Sequence, residues 1–213
     1  MNGRRRKNHM AKVIPITKPR DTRDKCLEVV LDLLAERGYS GLSLEAVAAR
    51  ASVETRVLHR LFGGLQGLVL AAGETDAHWP DLDELQSLAS TPADPEEQVA
   101  VFYEALLEAL AERPRTARIL AWELVDRSPH AELMERKRVR TSLEWFEALP
   151  DGLPEEEADL GAVVAVLAAA CSYLALRAGV RPQYGGVDLR SPKGRGRLAE
   201  AFRRLTRGLF APE

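Results

Sequence analysis

The chain has 213 residues, of which 46% are hydrophobic and 29% are charged, and its net charge is −2. This length allows a sizeable buried core in one larger or two small domains, and the composition is that of a soluble globular protein. The two cysteines, Cys26 and Cys171, have no metal-ligand spacing and imply no disulfide framework, which excludes a disulfide-stapled secreted scaffold. We expect both thiols to be buried in a protein of the reducing cytoplasm.

Charge is distributed unevenly along the chain. Residues 1–65 hold 13 Lys and Arg against 7 Asp and Glu, a net of +6, whereas the remainder holds 17 against 25, a net of −8. A basic end on an acidic body indicates a DNA-reading domain attached to a body that does not bind DNA. Chance, helped by a basic tail, is the alternative explanation.

Residues 1–20 contain seven Lys and Arg and no acid, and they predict a flexible basic arm. Such an arm either touches DNA phosphates or the minor groove, or is simply a solvated tail. No apolar segment follows it, so no signal peptide is predicted. The first helix is expected over residues 21–37, with Gly38 just past its end and an apolar stripe formed by Leu27, Val30, Leu31 and Leu34.

Residues 42–62 predict two short helices joined by a tight turn. Ser43 is a suitable N-cap for the first helix, and the turn falls at Ser52. The apolar side chains of both helices share one side, namely Leu44, Val47, Ala48, Ala51, Leu58, Leu61 and Phe62. This is a helix-turn-helix pattern, whose second helix would lie in the major groove of DNA. An ordinary helical hairpin with a solvated polar face has the same spacing.

Over residues 22–69 the chain resembles the N-terminal domain of the TetR family of transcriptional regulators. The resemblance rests on Gly38-Tyr39-Ser40, on residues 47–53 around the turn, and on residues 58–62 at the end of the recognition helix. It implies an all-α protein with a three-helix DNA-binding head at residues 21–64 and a helical ligand-binding and dimerisation body at residues 65–213. The chain departs from the family pattern at Ser52 (usually Gly), Arg56 (usually small), His59 (usually Tyr), Leu61 (often His) and Leu65 (often Lys).

The exposed face of the second helix of the motif carries the predicted contacts with DNA. Arg56 and Arg60 can each donate to guanine O6 and N7 or to a phosphate, and Thr55 can bond a phosphate or a base edge. Val57 could meet a thymine methyl if it faces outward, and His59, in the place of the family's Tyr, could hold a phosphate. The predicted DNA-binding residues are Ser43, Thr55, Arg56, Val57, His59 and Arg60.

Beyond the head, the pattern predicts helices throughout and no strand. Pro114 and Pro129 are placed to open two of these helices. A loop is expected over residues 180–190. Helices are expected over residues 65 to about 78, 95–113, 114 to about 127, 129 to about 149, 155 to about 179, and 191–210. Residues 81–89 are expected to form one or two further helical turns.

Residues 160–176 carry no charge for seventeen residues. A membrane span is one interpretation, but the stretch is Ala-rich and shorter than the roughly twenty residues that a span needs. We therefore expect no membrane and a helix buried on several sides. The resemblance implies that the last two helices form a four-helix dimer bundle with a second subunit, since a symmetric DNA site needs two heads. Packing within one chain is the alternative.

The sequence holds no catalytic motif and no cofactor motif, so neither enzymatic activity nor a cofactor is expected. The resemblance implies a homodimeric DNA-binding regulator, a repressor released from a near-palindromic operator by a small apolar or amphipathic ligand. Candidate lining residues are Phe102, Trp122, Trp145 and Tyr173, although the hydrophobic core is the alternative place for each. Rival functions are a helical binding module with a degenerate DNA head that binds a protein or lipid, and a helical enzyme with a diffuse active site.

Overall fold

A computed structural model describes residues 19–90, 97–148 and 160–210, and this part of the chain is all-α apart from one very small hairpin. The predicted arm, the loop around residue 93 and the turn around residue 152 fall largely or wholly outside the described residues. The helices are α1 (Pro19–Arg37), α2 (Leu44–Ala51), α3 (Thr55–Phe62), α4 (Leu65–Gly73), α5 (Leu82–Leu88), α6 (Glu97–Ala111), α7 (Pro114–Glu123), α8 (His130–Glu147), α9 (Leu160–Val180) and α10 (Pro192–Phe210). The hairpin strands are β1 (Gln183–Tyr184) and β2 (Val187–Asp188).

Helices α1, α2 and α3 form the expected three-helix head. The Ser43 hydroxyl accepts a hydrogen bond from the backbone N–H of Ala46 at 3.1 Å, which confirms the N-cap of α2. Ser52 adopts the left-handed conformation with φ of 57°, so the turn keeps a geometry that glycine usually supplies. Val47 and Leu58 are fully buried in the hydrophobic core that α2 and α3 share with α1, and the helix-turn-helix prediction is confirmed in its local geometry.

Helix α4 ends at Gly73, about one turn earlier than the predicted end near residue 78. The Thr75 hydroxyl donates to the carbonyl of Ala72 at 2.7 Å, and the chain then turns so that His78 is fully buried. The His78 carbonyl accepts from the Thr116 hydroxyl at 2.5 Å. Burial lowers the pKa of His78 to about 3, so its ring is neutral. These contacts with α7 are non-local, and helical periodicity carries no sign of them.

The body is built around α6, which packs against α5, α9 and α10. Its inward side chains include Phe102 and Tyr103, which lie edge to face with ring centroids 5.0 Å apart. The Tyr103 hydroxyl donates to the carbonyl of Val164 on α9 at 2.9 Å, which fixes α6 against α9. Cys26 in the head core and Cys171 in the body core are both fully buried free thiols, as expected.

Helix α7 joins the head to the body, because it packs against both α1 and α9. The Arg115 guanidinium donates to Glu28 at 2.8 Å and to Asp32 at 3.0 Å, both on α1. At the other end of α7, Glu123 accepts from the Tyr39 hydroxyl at 3.0 Å. Burial raises the pKa of Tyr39, as does the neighbouring Glu123, so the hydroxyl stays protonated and donates. The helix ends at Glu123, four residues before the expected end.

The region after α9 also differs from the sequence-based expectation. The stretch expected as a loop contains an antiparallel pair in which Gln183 faces Asp188 and Tyr184 faces Val187. Gly185 and Gly186 both have positive φ, which is the backbone conformation of a tight hairpin turn. A strand of two residues gives no alternation to detect. The expectation that α9 is buried on several sides is wrong within a single chain. Only 22% of the apolar stretch within Gly161–Val180 is buried.

We expect Gly38→Ala to destabilise the fold by about 2–4 kcal/mol, measured by urea unfolding. Gly38 has φ of +69°, and a Cβ there would lie 2.8 Å from the Trp122 ring. Gly185→Ala is the matched control, since its φ is +56° but nothing lies within 4 Å of the added atom. The control should lose only the conformational part, about 1–2 kcal/mol. Equal losses in the two variants would contradict close packing of Trp122 on Gly38.

Candidate DNA interface

Helix α3 has one buried and one open side. Leu58 is fully buried, Phe62 is half-buried against the head core, and Leu61 is half-buried. Arg56 is exposed on the opposite side of the helix. His59 and Arg60, one turn later, are exposed on the same side. Residues three and four apart share a helix face, so these three side chains form one polar surface. The structure thus brings together three of the predicted DNA-binding residues.

The other three predicted residues are half-buried. Thr55 opens α3 and is half-buried, as is Val57. Ser43 is half-buried and its oxygen is engaged in capping α2. A capping hydroxyl still has its own hydrogen to donate, so Ser43 can serve the helix and a phosphate together. All six assignments to DNA contact stay predictions.

Glu54 is a residue of this surface that the sequence reasoning missed. It occupies the N-cap of α3 but makes no capping hydrogen bond with its side chain. Instead its carboxylate faces Arg56, with 2.6 Å between Oε2 and Nε and 3.0 Å between Oε1 and Nη2. The sequence signal that could have revealed this pair is the presence of opposite charges two residues apart at the start of the predicted recognition helix.

Two other arginines of the head are held by contacts within the chain. Arg50 donates to both carboxylate oxygens of Glu36, at 2.6 and 2.7 Å, and so fixes α2 to α1. This hydrogen bonding raises the pKa of Arg50 and lowers that of Glu36. Arg23 lies over the Phe62 ring, 5.4 Å from its centroid, at the far end of α3. No motif in the sequence pointed to Arg23.

The four aromatic residues predicted to line a ligand pocket lie in three different places. Phe102 and Trp145 are buried together in the body core with centroids 5.3 Å apart. Trp122 packs on Gly38 at the joint between head and body. Tyr173 is 46% exposed and rests against Tyr184 of the hairpin. The structure therefore does not bring the four together, and their part in ligand binding stays a prediction.

A cavity of about 390 Å³ lies elsewhere, between α6, α7, α9, α10 and the segment that follows the hairpin. None of the four predicted aromatic residues lines it. Its wall is mostly apolar, with leucines from several helices and the small residues Ala117 and Ala178. Three polar side chains reach it: Glu112, Arg190 and Arg195. Small-molecule sites typically combine an apolar wall with a few polar groups in this way.

No metal centre is built into the described ranges, where no three His, Cys, Asp or Glu side chains lie close enough to hold an ion. The candidate interface consists of the polar face of α3, the capped start of α2 and the Glu54–Arg56 pair. A short helix presented on a turn, anchored by one buried side and open on the other, is the form of a protein that reads DNA through the major groove.

Comparison with known proteins agrees with this class. Residues 27–72 match the family described as bacterial regulatory proteins, tetR family. No curated protein matches the chain by sequence. The chain is similar in fold to a protein from Syntrophomonas wolfei described as a TetR-family transcriptional regulator, with a TM-score of 0.67 at 15% identity over 92% of this chain and 100% of the other.

Two further solved structures have the same fold. The fatty acid degradation regulator FadR from Bacillus halodurans has a TM-score of 0.62 at 16% identity, over 89% of this chain and 99% of its own. A transcriptional regulator from Rhodococcus has a TM-score of 0.58 at 22% identity, over 92% of this chain and 100% of its own. The helix-turn-helix domain of this chain belongs to the TetR family of transcriptional regulators, and the rest of the chain has the fold of that family.

Proposed function

We propose that the protein is a homodimeric cytoplasmic repressor that binds a near-palindromic operator and leaves it when a small ligand fills the body. The observation that carries the proposal is the open face of α3, where Arg56, His59 and Arg60 point away from the buried Leu58. Two such helices one turn of DNA apart, roughly 34–36 Å, would read the two half-sites. We propose no catalytic role for the chain.

The outward face of α9 supports a dimer. Over Gly161–Val180 this helix is long and apolar enough to cross a membrane, yet most of that face is uncovered within one chain. Val166 is 67% exposed and Tyr173 is 46% exposed, and Leu205 on the neighbouring α10 is 59% exposed. Exposed apolar surface of this kind marks an interaction site. A second copy presents the same apolar faces, so the two pairs of helices would cover one another as a four-helix bundle.

The cavity beside α7 is the proposed effector site. Its apolar wall suits a hydrocarbon body, and the charged groups at its edge suit a polar end, which together favour an apolar or amphipathic ligand. The likeness of the fold to a fatty acid degradation regulator makes fatty acids the first compounds to test. At about 390 Å³ the cavity is near the lower end of the usual range for ligand sites.

Helix α7 provides the path from this cavity to the head. Pro114 and Ala117 line the cavity, whereas Arg115 on the same helix turn is bonded to α1. A ligand that fits a displaced α7 better than the present one would therefore move the head, because ligands shift an equilibrium only by differential affinity. The contacts of Arg115 with α1 favour α7 as the coupling element.

Selection of bound duplexes from a random DNA pool tests the DNA-reading function. We expect the dimer to enrich a near-palindrome whose half-sites lie one helical turn apart. Binding should weaken steeply with salt, because phosphate contacts release counterions. A verified dimer that enriches no sequence at low salt would instead favour the rival function, a degenerate head on a body that binds a protein or lipid partner.

Filling the cavity should abolish the response to ligand. In Ala178→Trp the new side chain occupies the space that Ala178 lines, so fatty acids should no longer raise the Tm or release the selected operator. Operator affinity without ligand should change less than about three-fold. Ala148→Trp, at an exposed position after α8, is the matched control and should keep the wild-type response. A full response in Ala178→Trp would place the effector elsewhere.

A further inference from the structure

The pairing of Glu54 with Arg56 lies at the end of α3 that would enter the DNA groove first. In helix-turn-helix proteins the N-terminal residues of the recognition helix contact base edges. Glu54 is the N-cap and Arg56 the second residue of α3, so both belong to that end. Their side chains are 66% and 81% exposed, so neither is needed to fill space in the head.

The pair has little value for stability. Ion pairs exposed to this degree contribute only roughly 0–1 kcal/mol to folding, because water and salt screen them and two side chains must be held still. A carboxylate that faces DNA is also unfavourable by itself, since each strand carries one negative charge per phosphate. Arg56 offsets this charge at close range, which leaves the pair nearly neutral where it meets the DNA.

The geometry leaves one edge of Arg56 open. Nε and one hydrogen of Nη2 face the Glu54 carboxylate. Both hydrogens of Nη1 and the second hydrogen of Nη2 remain on the other side, because the guanidinium carries five N–H donors in a rigid plane. That open edge presents two parallel donors, the arrangement that pairs with O6 and N7 of guanine.

We propose that Glu54 is a positioning residue that holds Arg56 so that its open edge reads one guanine in each half-site. This inference rests on the proposed operator binding and names the part of the surface that gives specificity. Arg56 supplies the base contact. Glu54 holds the Arg56 side chain in one orientation before binding, which lowers the entropy cost of ordering this long, exposed side chain on DNA. Arg60 is exposed one turn later on α3 and serves as the internal comparison.

The test is selection from a random DNA pool with five proteins: wild type, Arg56→Ala, Glu54→Ala, Glu54→Gln and Arg60→Ala. Wild type should enrich a guanine at one position of each half-site, and Arg56→Ala should lose that preference by about ten-fold or more. Glu54→Ala should weaken the same preference by about five-fold while leaving the other positions unchanged. Glu54→Gln, whose amide oxygen can still accept from Arg56, should keep part of it.

A second readout separates positioning from simple charge. Removing Glu54 removes a negative charge from the DNA-facing side, so affinity for random-sequence duplex should rise in both Glu54 variants. If Glu54→Ala keeps the full guanine preference, or if Arg60→Ala rather than Arg56→Ala removes it, the proposal is wrong although operator binding stands. If wild type enriches no sequence at all, operator binding fails and the proposal fails with it.

Discussion

Replacing Arg56 and Arg60 together by alanine abolishes specific operator binding, with an expected loss of at least about 100-fold in affinity. An arginine that pairs with a guanine contributes about 1–3 kcal/mol, so losing the Arg56 pair in both half-sites reaches this size without any change of fold, and the lost Arg60 contacts add to it. Both side chains are exposed, so their removal leaves no cavity and the dimer should persist. Fluorescence anisotropy with the selected operator at one fixed salt concentration measures the loss.

The control for that variant removes the same charge from the body. Arg127→Ala with Arg136→Ala deletes two exposed arginines far along the chain from α3, and operator affinity should fall less than about three-fold. The proposed recognition face would be wrong if the Arg56 and Arg60 variant kept wild-type affinity, or if the control lost as much.

Val166→Glu should convert the protein to a monomer and lower operator affinity by at least about 100-fold. Val166 is 67% exposed on the apolar face of α9, where a second copy would cover it. A dimer would then bury two unpaired carboxylates, at a cost of several kcal/mol. Sedimentation velocity at micromolar concentration gives the assembly state, and anisotropy gives the affinity.

Val139→Glu on α8 is the comparison for this experiment. Val139 is 51% exposed, so the same substitution there introduces the same charge on a surface outside the proposed bundle. This variant should remain dimeric and should bind the operator as wild type does. A dimeric Val166→Glu, or a monomeric Val139→Glu, would show that the interface lies elsewhere.

Local signals in the sequence predicted the head well. A capping serine, an apolar stripe and a glycine after α1 act over three or four residues, and the structure keeps Ser43, Leu58 and Gly38 in the predicted roles. The predicted end of α4 was wrong, because the chain leaves the helix before His78, which is buried and whose carbonyl accepts a hydrogen bond from Thr116 of α7. Such contacts join residues far apart in sequence, so periodicity within one helix cannot reveal them.

The candidate site was predictable in part for the same reason. A polar helix face follows from spacing alone, and it contains Arg56, His59 and Arg60. The orientation of one side chain by another does not follow from spacing, so Glu54 was missed. The aromatic residues were chosen by type, but Trp122 faces the head and Tyr173 faces outward, which depends on how α7 and α9 are rotated in the fold.

The contact between α7 and α1 should make the response of DNA binding to ligand depend on salt. Part of the connection of α7 to α1 is ionic, through Arg115 with Glu28 and Asp32, and these acids are 52% and 41% exposed. Salt screens partly exposed charges over distances of about 8–10 Å at physiological strength. Added salt should therefore weaken the contact between α7 and α1 as well as the affinity of the head for DNA. The ratio of operator affinities with and without ligand should shrink as salt rises, so a dose-response curve taken in dilute buffer would overstate the sensitivity of the switch in a cell.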